Sequence, residues 1–329
     1  MSVAVPFPNS LPNGYEWFDD EPAFDPARHL QLEAPTETLS LEDLGYTADE
    51  IASKATSFAV SDPFRILSSE GTAVLLDSTR RLRDFNRRAG ERIERVTRGG
   101  CFRSRFLRDL CTDPQVTGHL AAIYCVDVAP HPMTLHLGHL NFEPTTLGES
   151  VDKWHHDTLP LDYVMMVTDP ATLSGGQFEW FHGTKHEAAE LAASGKTPPP
   201  DRVVSPVFPD AGYAIALHGD MVVHRAAALT AVGERITMVN GYVAMSTSVD
   251  EQSRSVDLIE IDDQEVLWAE WARYAAWRSA QRLQAVIHEI PFGTTADDAA
   301  SALESAIADA QKAVAEMRAG VPLQIAHYE

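Results

Sequence analysis

Short apolar runs separated by turn residues dominate the middle of the chain, from about residue 124 to residue 245. The runs are rich in β-branched and aromatic residues, as strands are. In order they are MTLHLGHLNF, VDKWHHD, LDYVMMVTD, GGQFEWFHG, RVVSPVF, GYAIALHGD, MVVHRAAAL and RITMVNGYV. Their main interruption, at 185–201, is a short predicted helix followed by three prolines. Because no helices of crossover length separate them, the pattern predicts an antiparallel sandwich or jelly roll, not a parallel α/β sheet.

Helical periodicity flanks this region on both sides. Residues 1–40 are rich in Pro, Asp and Glu and predict an extended arm. Helices are predicted at 41–55, 75–97 and 114–122, the last with Asp113 as N-cap and Pro114 as its first residue. The stretch EVLWAEWARYAAWRSAQRLQAVI predicts a long helix after residue 263. A final helix is predicted at 295–319, ending at Gly320, with an apolar stripe formed by Leu303, Ile307, Ala310, Val314 and Met317.

We therefore predict a mainly β fold with flanking helices, in a single domain spanning residues 1–329. Its parts are an N-terminal arm with helices (1–123), a jelly-roll core (124–250) and C-terminal helices (263–320). We expect the tryptophan-rich helix after residue 263 to pack deeply against the sheet. As an alternative, its tryptophans form a homodimer interface.

Composition and charge narrow the class of protein. Apolar residues make up 44% of the chain and charged residues 22%, which is ordinary for a globular protein. The net charge of −22 disfavours nucleic acids and anionic membranes as partners. The N-terminus lacks the pattern of a signal peptide, and no later run has the length of a membrane span. Cys101, Cys111 and Cys125 contain no CxxC pair, so we expect reduced thiols and a cytoplasmic location.

One basic segment departs from the acidic average. Residues 80–108 contain eleven arginines. Apolar residues at 82, 85, 89, 93 and 96 have helical spacing, so we interpret most of these arginines as the solvated face of an amphipathic helix. The alternative is an anion-binding patch.

Two histidines and an aspartate have the spacing of a metal site. Side chains alternate along a strand, so His155 and Asp157 in VDKWHHD share a face while His156 points away. A third ligand must come from another strand, and His224 in MVVHRAAAL is the best candidate. Two imidazoles and one carboxylate that leave coordination positions open are typical of non-haem Fe(II) oxygenases. A zinc hydrolase could use the same ligands, but its usual HExxH motif is absent.

Other histidines compete for the third position, and His218 is the main rival to His224. Arg235 lies eleven positions after His224 at the start of a β run, whereas the arginine closest to His218 is Arg225. This spacing favours His224. Any single histidine is more often a hydrogen-bonded structural residue than a ligand. Two further pairs are His136 with His139 and His182 with His186.

Arg235 and Thr237 share a strand face in ERITMV. A guanidinium binds a carboxylate through two charge-assisted hydrogen bonds, and a hydroxyl two residues away can donate to the same group. An arginine in a surface ion pair is the ordinary alternative. The spacing from His224 favours a role for Arg235 in binding a dicarboxylate cosubstrate next to the metal.

Together, these residues and the GGQFEWF strand between them resemble the Fe(II)/2-oxoglutarate-dependent dioxygenases of the prolyl-hydroxylase and phytanoyl-hydroxylase kind. The resemblance covers about residues 130–245. It implies a double-stranded β-helix, with Fe(II) ligated by His155, Asp157 and His224. It also implies 2-oxoglutarate chelated to the iron, with its distal carboxylate bound by Arg235 and Thr237. Halogenating relatives replace the carboxylate ligand with a small residue, so Asp157 disfavours halogenation. Further candidates to face the cavity are His139, Asn141, Tyr163 and Trp180.

The leading hypothesis is an oxygenase that uses Fe(II), 2-oxoglutarate and O2 to oxidise a C–H bond of a small molecule, such as an amino acid or a specialised metabolite. 2-Oxoglutarate would be decarboxylated to succinate and CO2. An alternative within the same chemistry is desaturation or ring closure, such as aziridine formation, which a product lighter by two hydrogens would reveal. A second class is a jelly-roll protein that binds metal without catalysis. The complete ligand set and Arg235 argue against it.

Overall fold

The structure is a computed structural model that describes residues 5–90, 92–321 and 328. Within these residues the chain forms eight α-helices and fourteen β-strands. The helices are α1 (Pro26–His29), α2 (Ala48–Ala52), α3 (Ser69–Leu82), α4 (Arg105–Cys111), α5 (Pro114–Tyr124), α6 (Lys185–Ala193), α7 (Gln264–Glu289) and α8 (Ala296–Ala319). The strands are β1 (Thr38–Ser40), β2 (Phe58–Ser61), β3 (Phe64–Arg65), β4 (Arg87–Ala89), β5 (Ile93–Thr97), β6 (Val128–Pro130), β7 (His139–Phe142), β8 (Ser150–His155), β9 (Leu161–Met166), β10 (Phe178–Phe181), β11 (Val203–Val204), β12 (Tyr213–Leu217), β13 (His224–Ala228) and β14 (Ile236–Ala244).

The strands form two antiparallel sheets. The larger sheet has the order β1-β2-β12-β9-β14-β7-β5-β4, with β3 paired to β12 and β6 paired to β14. The smaller sheet has the order β11-β10-β13-β8. The predicted combination of antiparallel sheets with several helices is confirmed. The strands β1 to β5, which precede residue 124, also belong to the larger sheet.

The larger sheet buries both of its faces. On β9, Tyr163 and Met165 pack in a core shared with α3, α4 and α5, whereas Val164 and Met166 pack between the two sheets. This alternation follows from the period of two in a strand, and a strand covered on both faces becomes a continuous apolar run. The run LDYVMMV is therefore apolar throughout because helices cover one face and the smaller sheet covers the other.

Strand β14 lies between β9 and β7 in the larger sheet. Ile236, Met238 and Tyr242 lie in the core under the helices, and Val239 lies between the sheets. By alternation, Thr237 and Gly241 share the face of Val239. This inner face of β14 forms one wall of the site described below.

The helix predicted at 75–97 is wrong beyond residue 82. Helix α3 ends there, and β4 and β5 form a hairpin that turns at Gly90, whose φ is +56°. Ala89, Ile93 and Val96 lie in one buried cluster. These buried residues are spaced by four and three positions, as on one face of a helix. The spacing is therefore compatible with both a helix and this hairpin. The helix predicted at 41–55 is likewise confined to α2.

The C-terminal helices pack on each other and on the sheet. Trp271 and Trp277 of α7 are buried in a cluster with residues such as Met133 and Val243, as expected for deep packing. The predicted stripe on α8 is wrong in part: Leu303 is 51% exposed, whereas Ala306 is 2% exposed. Small alanines allow the two helices to approach closely. No helix in the described ranges has the length and apolar character to cross a membrane.

Candidate metal and cosubstrate site

His155, Asp157 and His224 come together in the smaller sheet. His155 ends β8 and lies directly opposite His224, the first residue of β13, with ring centroids 4.2 Å apart. Asp157 lies two residues beyond β8, where its backbone N–H donates to the carbonyl of Gly219 at 2.8 Å. One ligand atom from each of the three residues lies within 4.8 Å of the other two.

Both imidazoles direct Nε2 towards the aspartate. His155 Nε2 is 3.5 Å from Asp157 Oδ1, and His224 Nε2 is 3.4 Å from Asp157 Oδ2. Their Nδ1 atoms lie 2.6 Å from the carbonyl oxygen of Lys153 and 3.0 Å from that of Val222, respectively. A carbonyl can only accept a hydrogen bond, so each Nδ1 carries the proton and each Nε2 keeps a lone pair. The two rings are therefore oriented to bind a cation.

The electrostatics of the cluster favour a neutral His224 beside an ionised Asp157. Burial, with the neighbouring His155, lowers the pKa of His224 to about 4. Burial acts to raise the pKa of Asp157, but the two histidines and Arg92 outweigh it and hold that pKa below its usual range. An ionised carboxylate beside a neutral imidazole suits a divalent cation.

His156 points away from this cluster. Its Nδ1 lies 2.6 Å from the hydroxyl oxygen of Tyr328. Strand alternation therefore separated the two adjacent histidines as expected, although Asp157 itself lies after the end of the strand.

The side chain of His218 also points away from this cluster. Its Nδ1 is 2.8 Å from the carbonyl oxygen of Phe58, and its Nε2 is 3.3 Å from Asp220 Oδ1. Lys54 pairs with the other oxygen of Asp220 at 2.7 Å. The remaining rivals are dispersed: His182 bonds the carbonyl of residue 43, His186 pairs with Glu50, and His136 lies in a 3-10 turn before β7.

Arg235 is buried at the other end of the same cavity. Its Nε–H donates to the carbonyl of Gly176 at 2.7 Å, and its Nη1 is 3.5 Å from Thr237 Oγ1. Within the described part of the chain, no carboxylate lies within 4.0 Å of its guanidinium. Burial lowers the pKa of Arg235 to about 10, so it remains a cation at neutral pH. Asp152 and Glu143 oppose the effect of burial from beyond 4.0 Å. A buried cation without a direct anionic partner is costly, which favours an anionic ligand here.

The cavity that joins the metal cluster to Arg235 has a volume of about 30 Å³. Two of the four further candidates line it, namely His139 and Asn141 of β7. Tyr163 instead packs in the core under the helices, beside Tyr242. Trp180 packs in the core between the two sheets.

Asp152 and Arg92 also line this cavity, and the sequence gives no signal for either. Arg92 Nε lies 2.8 Å from Asp152 Oδ1, and its Nη2 lies 4.0 Å from Asp157. Asp152 is three residues before His155, so simple alternation would place it on the opposite face. The pairing of β8 with β13 shifts register between them, and this bulge returns Asp152 to the face of His155.

No family model and no curated protein matches the chain, but solved structures do resemble it. The non-haem alpha-ketoglutarate-dependent carbocyclase SnoK from nogalamycin biosynthesis is 17% identical, with 64% of this chain and 87% of that chain covered and a TM-score of 0.43. EctD from S. alaskensis, with 2-oxoglutarate and 5-hydroxyectoine, is 16% identical, with 75% and 89% covered and a TM-score of 0.43. HygX from Streptomyces hygroscopicus, with nickel and 2-oxoglutarate bound, is 14% identical, with 60% and 87% covered and a TM-score of 0.40. These solved structures are Fe/2-oxoglutarate-dependent enzymes, while the chemistry of this chain is inferred from its own residues.

Proposed function

We propose that the chain is a non-haem Fe(II)/2-oxoglutarate-dependent oxygenase with a double-stranded β-helix core, and that it oxidises a C–H bond of a small molecule. The observation that carries the proposal is that one cavity contains both the His155, Asp157 and His224 cluster and the buried guanidinium of Arg235. A divalent cation and a dicarboxylate satisfy these two features together.

The donor set fits Fe(II). His155, Asp157 and His224 would hold the ion through two Nε2 atoms and one carboxylate oxygen, leaving other coordination positions open. With 2-oxoglutarate and O2, the bound iron supplies C–H oxidation while 2-oxoglutarate is decarboxylated to succinate and CO2. The carbonyl oxygens that accept from the two Nδ1 atoms fix the tautomers of both rings before any ion binds.

Arg235 and Thr237 would hold the distal carboxylate of 2-oxoglutarate. The carbonyl of Gly176 fixes the Nε of Arg235, so Nη1 and Nη2 remain for the ligand. A dicarboxylate needs more room than about 30 Å³, so its binding requires lining side chains to change rotamer. Val164, Phe178 and Val239 provide an apolar lining that keeps water away from the reacting groups.

Anaerobic reconstitution with Fe(II) and 2-oxoglutarate tests this proposal. We expect a visible charge-transfer absorption that needs both components, and succinate formation that a small-molecule panel stimulates after O2 is admitted. The mass of the product then separates hydroxylation from desaturation or ring closure. Absence of the absorption band and of succinate would contradict the proposal and leave a metal-binding protein without this catalysis.

A further inference from the structure

A row of polar side chains continues from the metal cavity along the inner wall of the larger sheet. On β7, Asn141 lies opposite Thr237 and His139 lies opposite Val239. The next inner position of β14 is Gly241, where an added Cβ would lie 3.1 Å from the carbonyl oxygen of His136. The same Cβ would lie 2.6 Å from Leu159 Cδ1, so Gly241 makes room for both residues. The row runs from the Arg235 end through His139 to His136.

Two ring nitrogens in this row have no hydrogen-bond partner. His139 Nδ1 and His136 Nε2 are both fully buried and unpartnered, and the residues are 9% and 1% exposed. Buried polar atoms are nearly always hydrogen-bonded, because an unpaired one destabilises the fold. Since His139 also lines the cavity that contains Asp157, a ligand satisfying these nitrogens would sit beside the metal cluster.

Arg98 places a surplus positive charge next to the row. Its Nε lies 2.8 and 2.9 Å from the two oxygens of Asp262, and Arg87 pairs with the same carboxylate. Two guanidiniums share one carboxylate, which leaves one positive charge. The side chain of Arg98 is 8% exposed, and its Nη2 is buried without a hydrogen-bond partner.

Strand β5 pairs with β7, with Val96 opposite Asn141 and Thr97 opposite Leu140, so Arg98 follows beside His139. Burial lowers the pKa of His139 to about 3, and the charge of Arg98 contributes to this effect while Asp157 opposes it. Burial likewise lowers the pKa of His136 well below its usual value, again with a contribution from Arg98 and opposition from Asp157. Both rings thus experience the opposing charges of Arg98 and Asp157.

We propose that Arg98, His136 and His139 form the substrate subsite and that they bind the carboxylate of a small organic acid. One surplus positive charge matches a carboxylate monoanion better than a phosphate dianion, and both rings can donate to an anionic oxygen. Because His139 lies in the metal cavity, the carbons next to this carboxylate are placed beside the cluster. This inference rests on the proposed oxygenase function and specifies its substrate class.

The test uses pairs of ligands that differ only in charge. Common L-amino acids and 2-hydroxy acids, with acetate as the smallest acid, are each compared with their primary amide. Binding is measured as the thermal shift of protein loaded with Ni(II), a redox-inert substitute for Fe(II), and 2-oxoglutarate. We expect acids, and not their amides, to stabilise the loaded protein, and the acids that bind best to stimulate succinate formation with Fe(II).

Three variants show where the acid binds. His136→Gln and Arg98→Gln should each weaken binding of the best acid by about tenfold or more, since a hydrogen bond to a charged group contributes about 1.5–3 kcal/mol. Both should keep the affinity of the wild type for Ni(II) and 2-oxoglutarate. Arg88→Gln, at an exposed residue of the same hairpin, is the matched control and should bind the acid like the wild type. His136→Gln keeps the test valid if loss of the Arg98 ion pair unfolds the other variant.

The subsite is refuted if amides bind as well as acids, if no acid binds a wild type that takes up Ni(II) and 2-oxoglutarate, or if His136→Gln binds the acid normally. In these cases the oxygenase proposal itself stands. Failure of the wild type to bind either Ni(II) or 2-oxoglutarate would overturn both proposals.

Discussion

Gly176 and Arg235 fit against each other so closely that position 176 has no room for a side chain. The carbonyl of Gly176 accepts from Arg235 Nε at 2.7 Å, and an added Cβ would lie 2.8 Å from Leu229 Cδ2 and 2.9 Å from Arg235 Cδ. The φ of Gly176 is +72°, a conformation that other residues rarely adopt. The orientation of the buried guanidinium therefore depends on a glycine 59 positions earlier in the chain.

We predict that Gly176→Ala weakens 2-oxoglutarate binding because the new methyl group displaces Arg235. Arg235→Ala should have a larger effect, about 2 kcal/mol or more, since it removes the charged partner altogether. Calorimetric titration of 2-oxoglutarate into Ni(II)-loaded protein measures both. Gly195→Ala is the matched control, because its φ is +67° but nothing lies within 4 Å of an added Cβ. Equal affinities of Gly176→Ala and Gly195→Ala for 2-oxoglutarate would contradict the role of Gly176.

Asp157→Ala should abolish 2-oxoglutarate turnover and greatly weaken metal binding while the protein stays folded, because the side chain lines a cavity and contributes little to the core. Succinate formation, metal content after dialysis against Fe(II) and circular dichroism measure these three outcomes. His156→Gln is the control, since its ring faces Tyr328 and not the cluster. Normal turnover in Asp157→Ala would exclude the proposed ligand set.

The metal-free protein should lose stability as the pH falls from about 6.5 to about 4. Burial and Arg98 lower the pKa of His131 from 6.5 to about 3, and burial and His155 lower that of His224 to about 4. In this pH range the unfolded chain binds more protons than the folded one, so protonation favours unfolding. Chemical denaturation at a series of pH values measures the slope.

In the same experiment, His131→Asn should flatten the dependence on pH, and replacement of the exposed His288 should leave it unchanged. A slope identical in wild type and His131→Asn would show that His131 does not contribute to the pH dependence.

The packing of α8 gives a prediction about stability alone. Ala313→Leu should destabilise the protein by about 1–3 kcal/mol, because Ala313 is 4% exposed and packs in one cluster with Trp271 of α7, where a larger side chain overpacks the contact. Leu303→Ala, on the exposed face, should change the free energy of unfolding by less than about 0.5 kcal/mol. A larger loss of stability in Leu303→Ala than in the leucine variant would support the apolar stripe predicted from the sequence.

Much of the site is visible in the sequence because its residues obey strand alternation. His155 is separated from His156 by this rule, and the spacing of Arg235 from His224 places both on neighbouring runs. The sequence does not reveal Asp152, because a bulge that depends on pairing with β13 places its side chain on the face opposite to the one that alternation predicts. Bulges arise from tertiary pairing and leave no periodic signal.

The arginine-rich segment shows a second limit of sequence patterns. A helix and a hairpin both bring Ala89, Ile93 and Val96 together, so spacing does not distinguish them. The hairpin matters for function because it places Arg92 in the metal cavity and leads to Arg98 beside the histidine row. Several arginines that a helix would expose are therefore paired and largely buried, as Arg98 is with Asp262.

Among the described residues β8 is the last strand of the smaller sheet, with one further backbone hydrogen bond from Tyr328 N–H to the carbonyl of Trp154 at 3.0 Å, whereas β14 pairs with strands on both sides. Edge strands open locally at a lower free-energy cost than central ones. In the metal-free protein, the amide of residue 155 should therefore exchange with deuterium faster than that of residue 237. A bound ion joins His155 to His224 across the β8–β13 pair, so metal should slow exchange in β8 much more than in β14. The cation would then stabilise β8 at the edge of the sheet. Loss of the metal would let the protein open first at the metal site.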